Sequence, residues 1–266
     1  MTNSALEEAT KNGNILPTTK SNCESFLSLE KMPQWAKDSI QELIENESWT
    51  ELNDRFFKDI TLGTGGMRGR TIGKVITKEE QGGTREGNTP KHAAIGTNTL
   101  NEITILRATK ALYNYTTHYM ATVGILEQPR LVVAHDVRHF SCEFSKLVAM
   151  AWQKMGGFAM IFDGPRSTPQ LSFTVRDRYA HAGVVITASH NPFHDNGFKA
   201  YFNDGGQLVP PHAEKVVECF KKINCEEILG WLESPMESDD YVFLKKEDDL
   251  AYTAALEDAV LSPDLL

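Results

Sequence analysis

The stretch T-A-S-H-N-P-F-H-D-N-G-F-K, residues 187–199, crowds hydroxyls, two imidazoles, two carboxamides, a carboxylate and a primary amine into thirteen positions. It follows an apolar run, A-G-V-V-I. Three kinds of chemistry compete for Ser189. A hydrolase nucleophile elbow needs small residues two before and two after the serine, as in G-x-S-x-G, whereas the flanks here are Thr187 and Asn191. His190 adjoins Ser189, and adjacent side chains in an extended or turning loop usually diverge, which argues against a direct serine–histidine pair. A zinc site through His190 and His194, four apart, is opposed by Pro192, which breaks the helix that would align them.

The third chemistry is a phosphate carried on Ser189. A phosphoserine bears about −1.5 to −2 charges near neutral pH and needs donors and a cation close by. His190, Asn191 and Lys199 stand beside it in sequence, and Arg68 lies in a glycine-rich stretch, L-G-T-G-G-M-R-G, residues 62–69. Glycines there let backbone N–H groups approach an anion. Phosphoryl transfer asks mainly for positioning and charge stabilisation, which suits this inventory. Each residue also has an ordinary structural reading. Ser189 could cap a turn, Lys199 could be a solvated strand lysine, Arg68 could pair on the surface, and Asp136 with Arg138 could be a loop ion pair. Ser141 reads as a helix N-cap, and His135 and His139 as structural.

The elements that must position these groups read as α/β: a mixed, mainly parallel sheet with helices on both faces. L-V-V-A-H-D (131–136) is a short strand, and Phe144, Leu147, Val148, Ala151, Trp152 and Met155 mark one helical face. F-A-M-I-F-D (158–163) is the next strand, 169–178 a helix and 183–186 a third strand. Such alternation implies parallel strands with crossovers, and ligands bind beyond their carboxyl ends. H-D-V-R and T-A-S-H-N-P both fall at such ends. D-N-G reads as a hairpin turn into F-K-A-Y-F-N (198–203), where Phe198, Ala200 and Phe202 face one way and Lys199, Tyr201 and Asn203 the other. Further helices are expected after Pro33, over 102–119, after Pro210-Pro211, and near 248–261. Residues 1–28 read as a disordered tail, 73–98 as an exposed excursion, 29–223 as one domain, and 224–266 as a linker and the beginning of an incomplete second domain.

Composition agrees with a globular chain: 41% apolar, 24% charged, net charge −9. The acidic balance argues against a nucleic-acid surface. No apolar run approaches the roughly 20 residues a membrane-spanning helix needs. Cys23, Cys142, Cys219 and Cys225 have no metal spacing and read as free thiols in a reducing, cytoplasmic setting.

Four segments together resemble the α-D-phosphohexomutases, the phosphoglucomutase and phosphomannomutase superfamily. T-A-S-H-N-P-F-H-D-N-G-F-K-A-Y resembles its phosphoserine signature, L-G-T-G-G-M-R-G its G-T-x-G-x-R-G loop, and H-D-V-R-H-F-S its D-x-R segment. D-G-G-Q-L-V-P-P-H is similar to the longer phosphoglucomutase and phosphopentomutase branch. The resemblance, running from about residue 33 to 223, implies that Ser189 passes phosphate to a sugar monophosphate. A sugar bisphosphate forms, turns round and returns its other phosphate, moving phosphate between C1 and C6, or C1 and C5. It implies that Arg68 and Lys199 assist proton transfer and steady charge near the phosphoserine, and that His190 and Asn191 are loop residues that orient it. Gly65, Gly66, Asp136 and Arg138 are implied contacts for phosphate or substrate, and Ser189 an oxygen ligand of Mg²⁺. A sugar 1,6-bisphosphate is the implied activator. The family's other metal ligands sit in a D-G-D-x-D-R type loop that does not occur here, so the sequence reads as domain one plus a lead-in to domain two, not expected to turn over alone. The alternative is a non-catalytic α/β module that binds a phosphosugar or a partner.

Overall fold

The computed structural model describes residues 2–63, 66–83, 85–233 and 241–260. Helices α1 (Thr2–Lys11), α2 (Pro17–Ser28), α3 (Gln34–Glu45) and α4 (Trp49–Phe56) lead into strand β1 (Met67–Arg70) and the short helix α5 (Lys78–Gln81). Then come α6 (Glu102–Thr122), β2 (Arg130–His135), α7 (Ser141–Lys154), β3 (Phe158–Phe162), α8 (Thr168–Asp177), β4 (Ala182–Ile186) and β5 (Asp195–Phe202). The chain continues through α9 (His212–Lys222), α10 (Cys225–Glu233), β6 (Val242–Leu244) and α11 (Asp249–Ala259).

The strands form one sheet in the order β1-β5-β4-β2-β3-β6. β2 runs parallel to β3 and β4, and β3 parallel to β6, while β5 runs antiparallel to both β4 and β1. The mixed, mainly parallel sheet expected from the alternating pattern is therefore present. Both faces are dry near the middle strands. Leu131, Val133, Ile161, Val184 and Phe198 join the larger core under α6 and α7, and Val132, Ala134, Met160, Val185 and Tyr201 the smaller one under α8. β2 and β4 read as continuous apolar runs because they are buried on two faces.

Three expectations are corrected. Residues 2–28 are not a free tail: Leu6, Ala9, Ile15, Cys23 and Phe26 are buried, and the Phe26 ring meets Phe56 edge-on at 5.7 Å. The segment is polar on average, but its few apolar residues find a partner in α3 and α4. The side-chain oxygen of Asn53 accepts from Leu16 N at 3.0 Å and Thr19 Oγ1 at 2.8 Å. Residues 73–98 are only in part an exposed excursion: Lys74, Val75, Ile76, Gly82 and Gly83 are exposed, but the segment is anchored in the core. Thr77 and Glu80 form a capping box on α5 and are buried, as are Ala93, Ala94 and Ile95. Lastly, the sheet extends beyond residue 223, because β6 pairs with β3.

A pH response arises beside α5. Burial pushes the Glu102 carboxyl from 4.5 up to about 7, with backbone N–H groups of Glu102 and Ala93 pulling the other way. A carboxyl raised in the folded state stabilises the fold below its unfolded value and loses that contribution as pH rises through about 7. Burial also holds His92 down at about 4, which acts in the opposite sense. The difference between the native chain and Glu102→Gln isolates the carboxyl. The variant is expected to gain relative stability on the order of 1–3 kcal/mol between pH 5 and pH 8. Urea denaturation at the two pH values checks this.

Candidate active site

β4 ends at Ile186, and the chain turns through residues 187–194 before β5 runs back beside it. The reversal is made by this loop. D-N-G, expected as the turn, lies within β5, with Asp195 paired to Arg70 and Gly197 to Arg68. Gly197 is required by close approach, since a Cβ there would lie 2.4 Å from the Thr187 carbonyl oxygen.

Ser189 sits at the exposed crest of this loop with φ of 59°, a left-handed conformation unusual for a residue with a side chain. Its N–H donates to Thr187 Oγ1 at 3.0 Å. The left-handed turn also brings Ser189 Oγ to 3.3 Å from His190 Nδ1. The divergence expected of adjacent side chains in an extended or turning loop does not occur, because the left-handed φ at Ser189 swings the two side chains together. Asn191 turns inward along the loop, donating from Nδ2 to Asp195 Oδ2 at 3.1 Å.

The loop is held from β2. Arg138, three residues past the strand, places Nε 3.2 Å from Asp136 Oδ2. Its Nη1 donates to the carbonyls of Pro192 at 2.8 Å and Asp195 at 3.0 Å. Its Nη2 donates to those of Ser189 at 2.8 Å and Asn191 at 2.7 Å. Four of the five guanidinium N–H groups thus donate to backbone carbonyls, and Nε stands at ion-pair distance from Asp136. Arg138 therefore spends most of its donors on holding the serine loop. Asp136 is equally occupied, accepting from Arg138 N at 2.9 Å and Ser141 Oγ at 2.6 Å. Ser141 is not the N-cap, which is Phe140; its hydroxyl bridges Asp136 to the fully buried Asn196, whose Nδ2 donates to it at 2.8 Å. Thus D-x-R and the start of β5 form one network under Ser189.

Removing this clamp has a measurable signature. Arg138→Ala leaves four loop carbonyls without their donor, and a displacement near 1 Å at a reacting group costs about 10²-fold in rate. In a catalytically active full-length protein that contains this domain, the expected result is a fall in kcat of that order with KM little changed. Arg138→Lys restores charge but not the fork, and recovers only part.

Arg68 and Lys199 reach the site from the sheet edge. Arg68 projects from β1 on the same face as Lys199 of β5, opposite the buried Met67 and Phe198. Burial, and then the Arg68 charge, lower the Lys199 pKa, with Asp136 opposing. Gly66 lets β1 enter this close to β5: its φ is 97°, and a Cβ would stand 2.2 Å from the Phe198 carbonyl oxygen. Gly65 lies outside the described residues. The structure thus brings Ser189, His190 and Asn191 onto one loop and Arg68 and Lys199 onto one strand pair, and turns Asp136 and Arg138 beneath the loop. Sequence reasoning missed Asn196 and Thr187 as loop supports, although both stand in the signature stretch. Among the described residues no group of three or more His, Cys, Asp or Glu side chains is placed to hold a metal ion. These residues do not form a Mg²⁺ site by themselves.

A mixed sheet with a clamped serine loop at the carboxyl end of its fourth strand defines an α/β domain of a recognisable kind. The sequence model for "Phosphoglucomutase/phosphomannomutase, alpha/beta/alpha domain I" matches residues 91–227, and the chain belongs to that family. It is 30% identical over 193 residues to a Staphylococcus aureus (strain bovine RF122 / ET3-1) phosphoglucomutase, covering 72% of this chain and 30% of that protein. It is 29% identical over 186 residues to a Schizosaccharomyces pombe protein named "Probable phosphoribomutase", covering 70% and 27%. The crystal structure of a phosphomannomutase-type protein from Thermus thermophilus superposes with a TM-score of 0.51 at 25% identity, over 76% of this chain and 36% of that one. The chain thus spans about a third or less of the length of the curated relatives it matches. Among the described residues, no helix is long and apolar enough to cross a membrane.

Proposed function

We propose that this chain is the phosphoserine-bearing part of a phosphosugar mutase, with Ser189 the phosphate carrier. The observation that carries this reading is the presentation of Ser189: exposed at the crest of a loop whose carbonyls are gripped by Arg138, with Lys199 and Arg68 on the adjoining strand edge. In this reading a sugar hydroxyl attacks the phosphorus of phospho-Ser189, the new P–O bond forming as the bond to Ser189 Oγ breaks. The hydroxyl proton passes to the Lys199 amine, whose pKa burial and the neighbouring Arg68 charge lower from the ordinary lysine value, and then to the departing Ser189 oxygen. Arg68 steadies charge on the transferring group, and His190, hydrogen-bonded to Oγ, orients it. The bisphosphate then returns its other phosphate to the serine by the reverse sequence. Mg²⁺ would take one oxygen from phospho-Ser189 and its other ligands from outside the described residues; when bound it supplies charge neutralisation. The family and the named relatives support a substrate of the phosphoglucomutase or phosphopentomutase class, and the reading carries with it a cytoplasmic setting and, over 224–266, a linker and the beginning of a second domain.

The test is Lys199→Met in a protein carrying the full length of the relatives. Interconversion of sugar 1- and 6-phosphates is expected to fall by about 10²-fold or more. The melting temperature is expected to change little, since Lys199 makes no ion pair among the described residues. Equal losses of folding and turnover would return Lys199 to a structural role.

A further inference from the structure

β1 carries two arginines, and only one belongs to the site described above. Arg68 and Arg70 stand two residues apart on the same face of the strand, opposite Gly197 and Asp195 of β5. Both are half-buried or exposed, and neither has a carboxylate partner among the described residues. Every other arginine among those residues except Arg176 is ion-paired. The two open onto a cleft of about 400 Å³ whose other walls include Phe57, Lys74, Asn98 and Thr99. Lys74 is already engaged with Asp54 at 2.7 Å, so the unspent positive charge of the cleft belongs to Arg68 and Arg70.

The strand that presents them is fixed on both edges. The Arg70 carbonyl accepts from Leu100 N at 2.9 Å on one side, and β5 pairs with it on the other. Thr71 N, the next donor, reaches the His194 carbonyl at the end of the serine loop at 2.7 Å. Side chains two apart on a strand have Cα atoms about 7 Å apart, a spacing from which two guanidinium forks can converge on one tetrahedral dianion. Arginine is the side chain whose planar fork matches phosphate oxygens in pairs.

We propose that this cleft is a phosphate subsite beside the serine loop, anchored by Arg70 and sharing Arg68 with it, for the dianionic phosphate group of a phosphate monoester. That the phosphate is borne by a sugar rests on the mutase reading; the anion site does not. The experiment is calorimetric titration of the 266-residue chain at low ionic strength with inorganic phosphate and, separately, with glucose 1-phosphate. Arg70→Ala is expected to weaken binding of both about tenfold or more, the scale of a lost hydrogen bond to a charged group. Arg70→Lys, which keeps the charge without the fork, is expected to recover only part. Ser189→Ala is expected to bind as the native chain does, and so is Lys222→Ala, which removes an exposed cation on α9.

Equal affinity for the two probes would mean that the cleft reads phosphate alone; tighter binding of the ester would place sugar in it as well. Either supports the subsite. Unchanged binding in a folded Arg70→Ala, no binding by the native chain, or an equal loss in Lys222→Ala would overturn it. A loss in Ser189→Ala would also do so, by placing the anion on the serine loop instead. Because binding is read without turnover, a mutase assay that fails leaves this result standing.

Discussion

In a protein carrying the full length of the relatives, replacing Ser189 by alanine is expected to lower phosphoryl transfer by at least about 10⁴-fold, as loss of a covalent nucleophile does when no neighbour can substitute. The same change is expected to leave the fold intact. The Ser189 side chain is exposed and makes one long contact, 3.3 Å to His190 Nδ1, while its backbone N–H keeps Thr187 Oγ1. Alanine at φ of 59° bears the same backbone strain as serine, so stability is not expected to shift through that route. Ser189→Gly separates the two effects. It removes the same oxygen and releases the left-handed strain, which for a non-glycine residue is of order 1 kcal/mol. Loss of transfer with unchanged or raised melting in both variants marks the serine as functional. Turnover persisting in either would contradict it, with interconversion of sugar phosphates and thermal melting as the two readouts.

The second large effect is on stability. Glu80→Ala is expected to destabilise the fold by about 3–5 kcal/mol, because it leaves a buried cation short of a partner. Arg55 is 1% exposed and meets Glu51 Oε1 at 2.7 Å and Glu80 Oε1 at 2.5 Å. Its Nη2 also reaches the Val75 carbonyl at 2.6 Å, and Glu80 Oε1 accepts from Ile95 N at 3.0 Å. Desolvation works against the Arg55 charge, but Glu80 and then Glu51 outweigh it and raise its pKa. The Glu80 carboxylate therefore fastens residues 75–95 to α4, and the Arg55 carbonyl accepts from Asn98 N at 2.8 Å. Because Asn98 lines the Arg70 cleft, the variant is expected to disturb phosphate binding as well as stability. Replacing Arg55, Glu51 and Glu80 together with apolar residues of similar volume is expected to recover much of the loss, since the cost lies in the unmatched charge. Urea denaturation midpoints compare the three chains.

The contrast between the two variants shows where sequence reading succeeded. Ser189 was legible because the residues that present it are adjacent in the chain, and the strands that carry its loop are uninterrupted apolar runs. The β2–α7–β3–α8–β4 pattern was legible for the same local reason. Arg138 was legible as a residue but its grip on the loop was not: nothing in H-D-V-R states that the guanidinium turns back to hold carbonyls more than fifty residues on. The D-N-G turn was misplaced because Asn196 is taken up by Ser141 and the His139 carbonyl, a tertiary demand that overrides turn preference. The Arg55–Glu80 pair spans twenty-five residues and could not be inferred from either neighbourhood. It is why the buried anchor within 73–98 did not stand out from the exposed glycines and charges around it. The N-terminal helices were missed because their buried side chains are few and need α3 and α4 to complete the packing.

The most direct test of the central claim is phosphopeptide mapping of the protein after exposure to a sugar 1,6-bisphosphate and Mg²⁺, in a chain carrying the full length of its relatives. The account predicts phosphate on Ser189 that a sugar monophosphate then removes. Phosphate confined to other residues, or a Ser189 that stays unmodified while sugar phosphates interconvert, would contradict it.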